Sequence, residues 1–178
     1  MPELDGSVTP ANAEAEVRVR LENAMSVLTK VTHGHSALGD RSLLQALTTL
    51  QTSCFTHYES KEVSFKITID DSDLDRQLQC DVYSVVYHLV KNALEHAKCS
   101  NLNVYLNQLE NNLIIIVSDN GQGMKHKMQS VDFGLGLYMI KRIANAYSTK
   151  LKIRTGKDGT RVELAFPLQT KKHSNLTS

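Results

Sequence analysis

"SDNGQGMKHKMQSVDFGLGLYMIKRIA" (residues 118–144) gathers four of the chain's nine glycines behind one acidic residue, Asp119, in two clusters parted by a polar, partly basic loop. Gly121, Gly123, Gly134 and Gly136 let the backbone turn and let another group come close. Two readings are open: a pair of ordinary turns, or a nucleotide site. What flanks the run bears on fold. "NLIIIVS" (112–118) before it is a near-continuous apolar strand, and the second cluster runs straight into an amphipathic helix that reaches about Tyr147.

Outward from this run, changes of hydrophobic period mark the other elements. "NLNVYL" (101–106) alternates as a strand, and "QLENN" is a hairpin turn joining it to 112–118. "CDVYSVVYHLVKNALEHA" (80–97) has helical spacing through Val82, Val85, Val86, Leu89, Ala93 and Leu94, and "EVSFKITID" (62–70) alternates as a half-buried strand. After the glycine region come "KLKIRT", the turn "GKDG" and "TRVELAFPL", with Val162, Leu164 and Phe166 on one face. Strands joined by short turns are antiparallel, so the order predicts a two-layer α/β sandwich with a mixed sheet. Ahead of it, Val17, Leu21, Ala24, Met25, Leu28 and Val31 predict one helix, and Leu43, Leu47, Leu50, Cys54 and Tyr58 a second, with Asp40 as its cap. Residues 1–12 read as a disordered leader, 13–59 as a helical hairpin, 60–168 as the α/β domain and 169–178 as a polar tail.

Composition narrows the class. With 178 residues, 41% of them hydrophobic, the chain can bury a real core. A formal charge of +1 carries no global bias towards nucleic acid, so no nucleic-acid partner is expected. Cys54, Cys80 and Cys99 form no metal-spaced or disulfide pattern, which favours a reducing, cytoplasmic compartment. The N-terminus is acidic and polar where a signal peptide is basic and apolar, and no run approaches the roughly 18 apolar residues of a membrane span.

Four stretches hold the candidate chemistry. "HLVKNALEHA" sets Asn92 and His96 one helical turn apart, which in isolation is an ordinary polar surface. "SDNGQGM" puts Asp119 at the end of an apolar strand, where a carboxylate needs a donor; the adenine amino group is one such donor, and a simple turn is the alternative. "GLGLYM" offers the backbone N–H groups of Gly134, Leu135 and Gly136 at a helix start, a place where phosphates bind. "GKDGTRVELAFP" brings Thr160 into a strand and by itself is only a hairpin. Competing nucleotide motifs fail. There is no GxxxxGK(S/T), "GLGLYM" lacks the third glycine and the preceding strand of a dinucleotide fingerprint, and the "DFG" at 132–134 has no other kinase segment before it.

In their order, "HLVKNALEHA", "DNGQGM", "GLGLYMIKRIA" and "GTRVELAFP" resemble the N, G1, G2 and glycine–threonine boxes of the ATP-binding domain of sensor histidine kinases, in the superfamily shared with gyrase. The likeness covers residues from about 60 to 168, and the lead-in "LLQALTTLQTSCFTHYESKEVSFKITID" is similar to that of the nitrate/nitrite-type sensor kinases. The resemblance implies ATP as ligand, with Asn92 helping to hold Mg²⁺ on the triphosphate and His96 beside it in the same box. It further implies that Asp119 accepts the adenine amino proton, Gly121 and Gly123 shape the adenine pocket, and residues 124–133 form a lid. Gly134, Leu135 and Gly136 would cradle phosphates, and Thr160 would reach the adenine through water.

Two departures bear on turnover. The family's glutamate four residues before the box asparagine is His88 here, a poor ligand for a hard cation but a competent proton acceptor. The lysine before the box histidine is Glu95, which repels phosphate. His33 and His35 lie in the break "THGHSA", without the acidic neighbour of the family's phospho-acceptor helix. The resemblance therefore implies an ATP-dependent kinase of a two-component pathway that phosphorylates a histidine in trans, with a response regulator or a partner histidine kinase as partner and a homodimer through the N-terminal helices. A degenerate kinase serving as a regulatory binding module is one alternative. An anti-sigma-factor serine kinase is another, although such proteins are expected to begin near the first strand.

Overall fold

The structure is a computed structural model that describes residues 38–58, 60–72, 74–124 and 135–168. The predicted first helix (13–31), His33, His35, Gly134, most of the expected lid and the polar tail lie outside the described residues. The elements are helix α1 (Leu43–His57), strand β1 (Glu62–Thr68), helix α2 (Arg76–His96), strands β2 (Asn101–Leu109) and β3 (Asn112–Asp119), helix α3 (Leu135–Ala146), and strands β4 (Lys152–Gly156) and β5 (Gly159–Pro167). They form one five-stranded sheet in the order β1-β2-β3-β5-β4. Strand β1 pairs with β2 in parallel through the α2 crossover, and every other pair is antiparallel. The mixed α/β sandwich read from the sequence is the fold observed.

Alternation fixes which face of the sheet is covered. Leu102, Val104 and Leu106 on β2, Leu113, Ile115 and Val117 on β3, and Val162, Leu164 and Phe166 on β5 are buried on the side that carries the helices. Phe166 is wholly buried and meets Tyr147 edge to face, with ring centroids 5.1 Å apart. Tyr147 also donates to Asp81 Oδ2 (2.9 Å), which ties the chain after α3 to the first turns of α2. Cys54, Cys80 and Cys99 are free and buried; desolvation pushes all three thiols up, so they serve as small apolar core groups. No helix among the described residues is long and apolar enough to cross a membrane.

Two helix starts differ from the sequence reading. Ser42, not Asp40, caps α1: its side chain accepts from the Gln45 N–H while the Gln45 side chain accepts from the Ser42 N–H. This reciprocal capping box satisfies two otherwise orphan donors, which a lone aspartate two residues earlier cannot do. Helix α2 begins at Arg76 rather than Cys80, because Asp75 accepts from the Leu78 N–H at 2.9 Å and adds a polar first turn that hydrophobic spacing does not reveal.

The apolar stripe of α1 was expected to await cover from a second chain. Instead Leu43, Leu47 and Cys54 are buried, and Leu50 and Tyr58 pack, in the same core as α2 and the sheet. Polar contacts reinforce this seat. The Leu43 N–H donates to Gln79 Oε1 (3.2 Å), the Leu44 N–H to Asp71 Oδ2 (2.7 Å), and the Arg76 guanidinium to the carbonyls of Gly39 and Arg41. Leu47→Ala is therefore expected to cost about 2–5 kcal/mol and to lower a single cooperative transition. Denaturant unfolding followed by circular dichroism checks this; a separate early transition confined to helical signal would show that α1 is not part of the core.

Candidate functional site

The site is built around the two ends of one stretch of α2. The chain leaves β3 at Asp119, and the next residues fold against the carboxyl end of this helix. The Gln122 N–H donates to the Ala97 carbonyl (2.9 Å) and the Gln122 side chain to that of His96 (3.2 Å). These are terminal helix carbonyls with no partner of their own within the helix. Gly121 is obligatory here because a Cβ on it would overlap the Ala97 carbonyl oxygen. Asn120 locks the same junction. Its Oδ1 accepts from the N–H groups of Ser100 (3.0 Å) and Asn101 (2.8 Å), and its Nδ2 donates to Ser100 Oγ (2.9 Å) and Asn101 Oδ1 (3.1 Å).

Asp119 is held from both sides. One carboxylate oxygen accepts from the Gly121 N–H (2.9 Å), and among the described residues the other takes no hydrogen bond. Across the sheet Asp119 pairs in register with Thr160, which is buried. Gly159 makes that approach possible: its φ is +119°, and a Cβ there would overlap the Asp119 carbonyl. Thr160 Oγ1 lies 3.2 Å from Thr155 Oγ1, and Thr155 Oγ1 accepts from the Met124 N–H at 2.7 Å. Gly123 sits against the Gly156 carbonyl in the same corner.

The second group lies back along α2. A Cβ on Gly136 would stand 3.5 Å from His88 Nδ1 and 3.6 Å from both amide atoms of Asn92, so the first turn of α3, which begins at Leu135, abuts these two side chains. His88 is buried at 5% exposure and meets Tyr87 edge to face. From His88 to Ala97 the helix rises roughly 13 Å.

The predicted residues are thus divided between two corners. Asp119, Gly121, Gly123 and Thr160 share one, and His88, Asn92 and Gly136 the other. His96 joins neither by its ring, whose side chain is 74% exposed beside Glu95; its backbone carbonyl, held by Gln122, is what takes part. Sequence reasoning missed Asn120, Gln122, Thr155 and Gly159. Asn120 and Gln122 carried a signal, as residues inside the glycine motif, and so did Gly159, as the glycine of the "GTRVELAFP" stretch; Thr155 carried none.

Residues 77–170 match the family described as histidine kinase-, DNA gyrase B- and HSP90-like ATPase, which is more than half of the chain. The chain belongs to this family of ATP-binding domains. It is 30% identical over 120 residues to the oxygen sensor histidine kinase NreB of Staphylococcus carnosus, a stretch covering 65% of this chain and 35% of that protein. It is 24% identical over 135 residues to the signal transduction histidine-protein kinase/phosphatase DegS of Brevibacillus brevis, covering 75% and 34%. The chain spans about a third of the length of these curated relatives. Its fold is similar to that of the histidine kinase domain of the blue-light activated histidine kinase from Erythrobacter litoralis (TM-score 0.68, 16% identity, covering 86% of this chain and 83% of that one). It is similar also to the histidine kinase AdeS of Acinetobacter baumannii (TM-score 0.59, 12% identity, covering 93% and 89%). The protein carries a histidine-kinase-type ATPase domain preceded by at least one helix packed on it.

The clash geometry at Gly121 gives a direct test. Gly121→Ala forces the turn off the end of α2, at a cost of roughly 1–3 kcal/mol or more. A thermal melt should fall accordingly, whereas Gly156→Ala, where nothing lies within 4 Å of an added Cβ, should leave it nearly unchanged.

Proposed function

We propose that this chain binds ATP with Mg²⁺ and transfers a phosphoryl group to a histidine on a partner kinase, for passage to a response regulator. The observation that carries the reading is the pairing of a half-committed carboxylate, Asp119, with a glycine-lined corner at one end of α2, while His88 and Asn92 meet the start of α3 at the other. The open Asp119 oxygen accepts the adenine amino proton, Thr160 lies on its flank, and Gly121 and Gly123 let the turn seat against the Ala97 and Gly156 carbonyls beside it. The first-turn amides of α3, which have no partner within the helix, would face anionic oxygen, where the helix dipole favours negative charge. Asn92 orients the phosphate end. Bound ATP and Mg²⁺ supply the phosphoryl group and neutralise its charge, so the protein's part is positioning and electrostatics.

A specific observation favours the second reading, a nucleotide-dependent binding module. The N-box glutamate position holds the imidazole of His88, and Glu95 is engaged in an ion pair with Lys91 (3.7 Å) rather than replaced by a free cation. The stripe of Leu43, Leu47, Leu50, Cys54 and Tyr58, which the expected dimer shared with residues outside the described ones, is already packed within the chain.

ATP or ADP with Mg²⁺ should raise the melting temperature, since a ligand of the native state stabilises it by mass action, and Asp119→Asn should abolish most of the shift. A wild-type protein unmoved by millimolar ATP would end the nucleotide reading. His88→Glu separates the two accounts: a degenerate kinase should gain ATP turnover when a carboxylate returns to this position, and a kinase that uses the imidazole should lose it. Turnover is to be compared only if the variant retains the nucleotide-induced thermal shift.

A further inference from the structure

On the ATP-binding reading, one residue outside every motif acquires a role. Thr155 stands on the edge strand β4, among exposed residues, where a threonine is an ordinary strand former. Its hydroxyl is nevertheless the meeting point of three segments. It accepts from the Met124 N–H (2.7 Å), and it lies 3.2 Å from the hydroxyl of Thr160. Met124 closes the glycine turn that begins at Asp119, and Thr160 is the register partner of both Thr155 and Asp119. Thr155, Thr160 and Asp119 therefore form one row across β4, β5 and β3. A Cβ on Gly123 would come to 2.9 Å from Thr155 Oγ1, so the turn rests directly on this hydroxyl.

The Thr155 hydroxyl can hold both neighbours at once. A threonine hydroxyl has one proton to donate and two acceptor positions. With the Met124 N–H on one acceptor position of the Thr155 oxygen, a second acceptor position and the proton remain for the Thr160 hydroxyl, and either oxygen can donate in that pair. We propose that Thr155 is a positioning residue of the nucleotide site, which fixes the end of the glycine turn and holds the Thr160 hydroxyl in place beside Asp119 on the adenine side. It touches no nucleotide itself; it acts through Met124 and Thr160.

The test compares wild type, Thr155→Val, Thr155→Ser, Thr160→Val and the Thr155→Val/Thr160→Val pair by calorimetric titration with Mg-ATP, with a melt of each protein free of nucleotide. Thr155→Val keeps the shape and removes the hydroxyl. It should weaken Mg-ATP roughly three- to tenfold, the effect of one lost, partly exposed hydrogen bond, while the nucleotide-free melting temperature moves by less than about 2 °C. Thr155→Ser should restore binding, and the double variant should bind no worse than Thr160→Val alone, because the two hydroxyls act as one unit. Wild-type affinity in Thr155→Val, a loss that only follows a lowered nucleotide-free melt, or a loss that serine does not rescue would each overturn the assignment while the wild type still binds ATP. Absence of binding in the wild type would instead remove the ATP reading, and this assignment with it.

Discussion

The junction between the end of α2 and the turn after β3 is the constraint on which the site depends. Helix ends leave carbonyls unsatisfied, and here the two at His96 and Ala97 are taken by the side chain and the N–H of Gln122. The contact is close enough to exclude any side chain at position 121, so the helix and the strand cannot slide past one another. Because α2 also carries His88 and Asn92, a single rigid element spans both corners of the site. Asn120 adds four hydrogen bonds across the α2–β2 connection, and its place next to Asp119 means that the carboxylate inherits that rigidity.

Register does the rest. With β3 between β2 and β5, Asp119 falls opposite Leu102 on one side and Thr160 on the other. A slip of one residue on β5 would put Arg161 beside Asp119 and turn Val162, Leu164 and Phe166 out of the core. The buried side chains on β5 therefore hold the polar pair at its end in place, and the site is a by-product of the same alternation that makes the core. The edge strand β4 presents Lys152 and Arg154 outward, charges that discourage pairing with another chain.

Most of this was legible in the sequence where chemistry and periodicity coincide. The order of elements, the mixed sheet and the Asp119–glycine corner follow from alternation, helical spacing and a carboxylate at the end of an apolar strand. Helix starts were less legible: Ser42 with Gln45, and Asp75 before a polar first turn, work through local hydrogen bonds that leave no hydrophobic trace. The stripe of α1 was read correctly as apolar, but its cover was not, since which surface it meets depends on how Gln79 and Asp71 seat the helix. Thr155 had no signal at all, because its contacts to Met124 and Thr160 exist only once β4, β5 and the glycine turn are assembled.

The two departures from the N box are unequal in weight. Glu95 introduces a negative charge two residues from Ala97, nearer the Asp119 corner than the His88 end, but Lys91 stands 3.7 Å from it one turn earlier, so its field is partly met on its own surface. Both partners of the lysine pair are well exposed, and solvent screens what remains. His88 has no such latitude: it is buried, against Tyr87 and beside Gly136, where a change of chemical type acts on whatever lies between α2 and α3. It also stands roughly 13 Å along the helix from the corner that holds Asp119. On the proposed ATP reading, grip on the base and work on the phosphate fall to opposite ends of α2, so a change of residue at the His88 end leaves the geometry of the Asp119 corner intact.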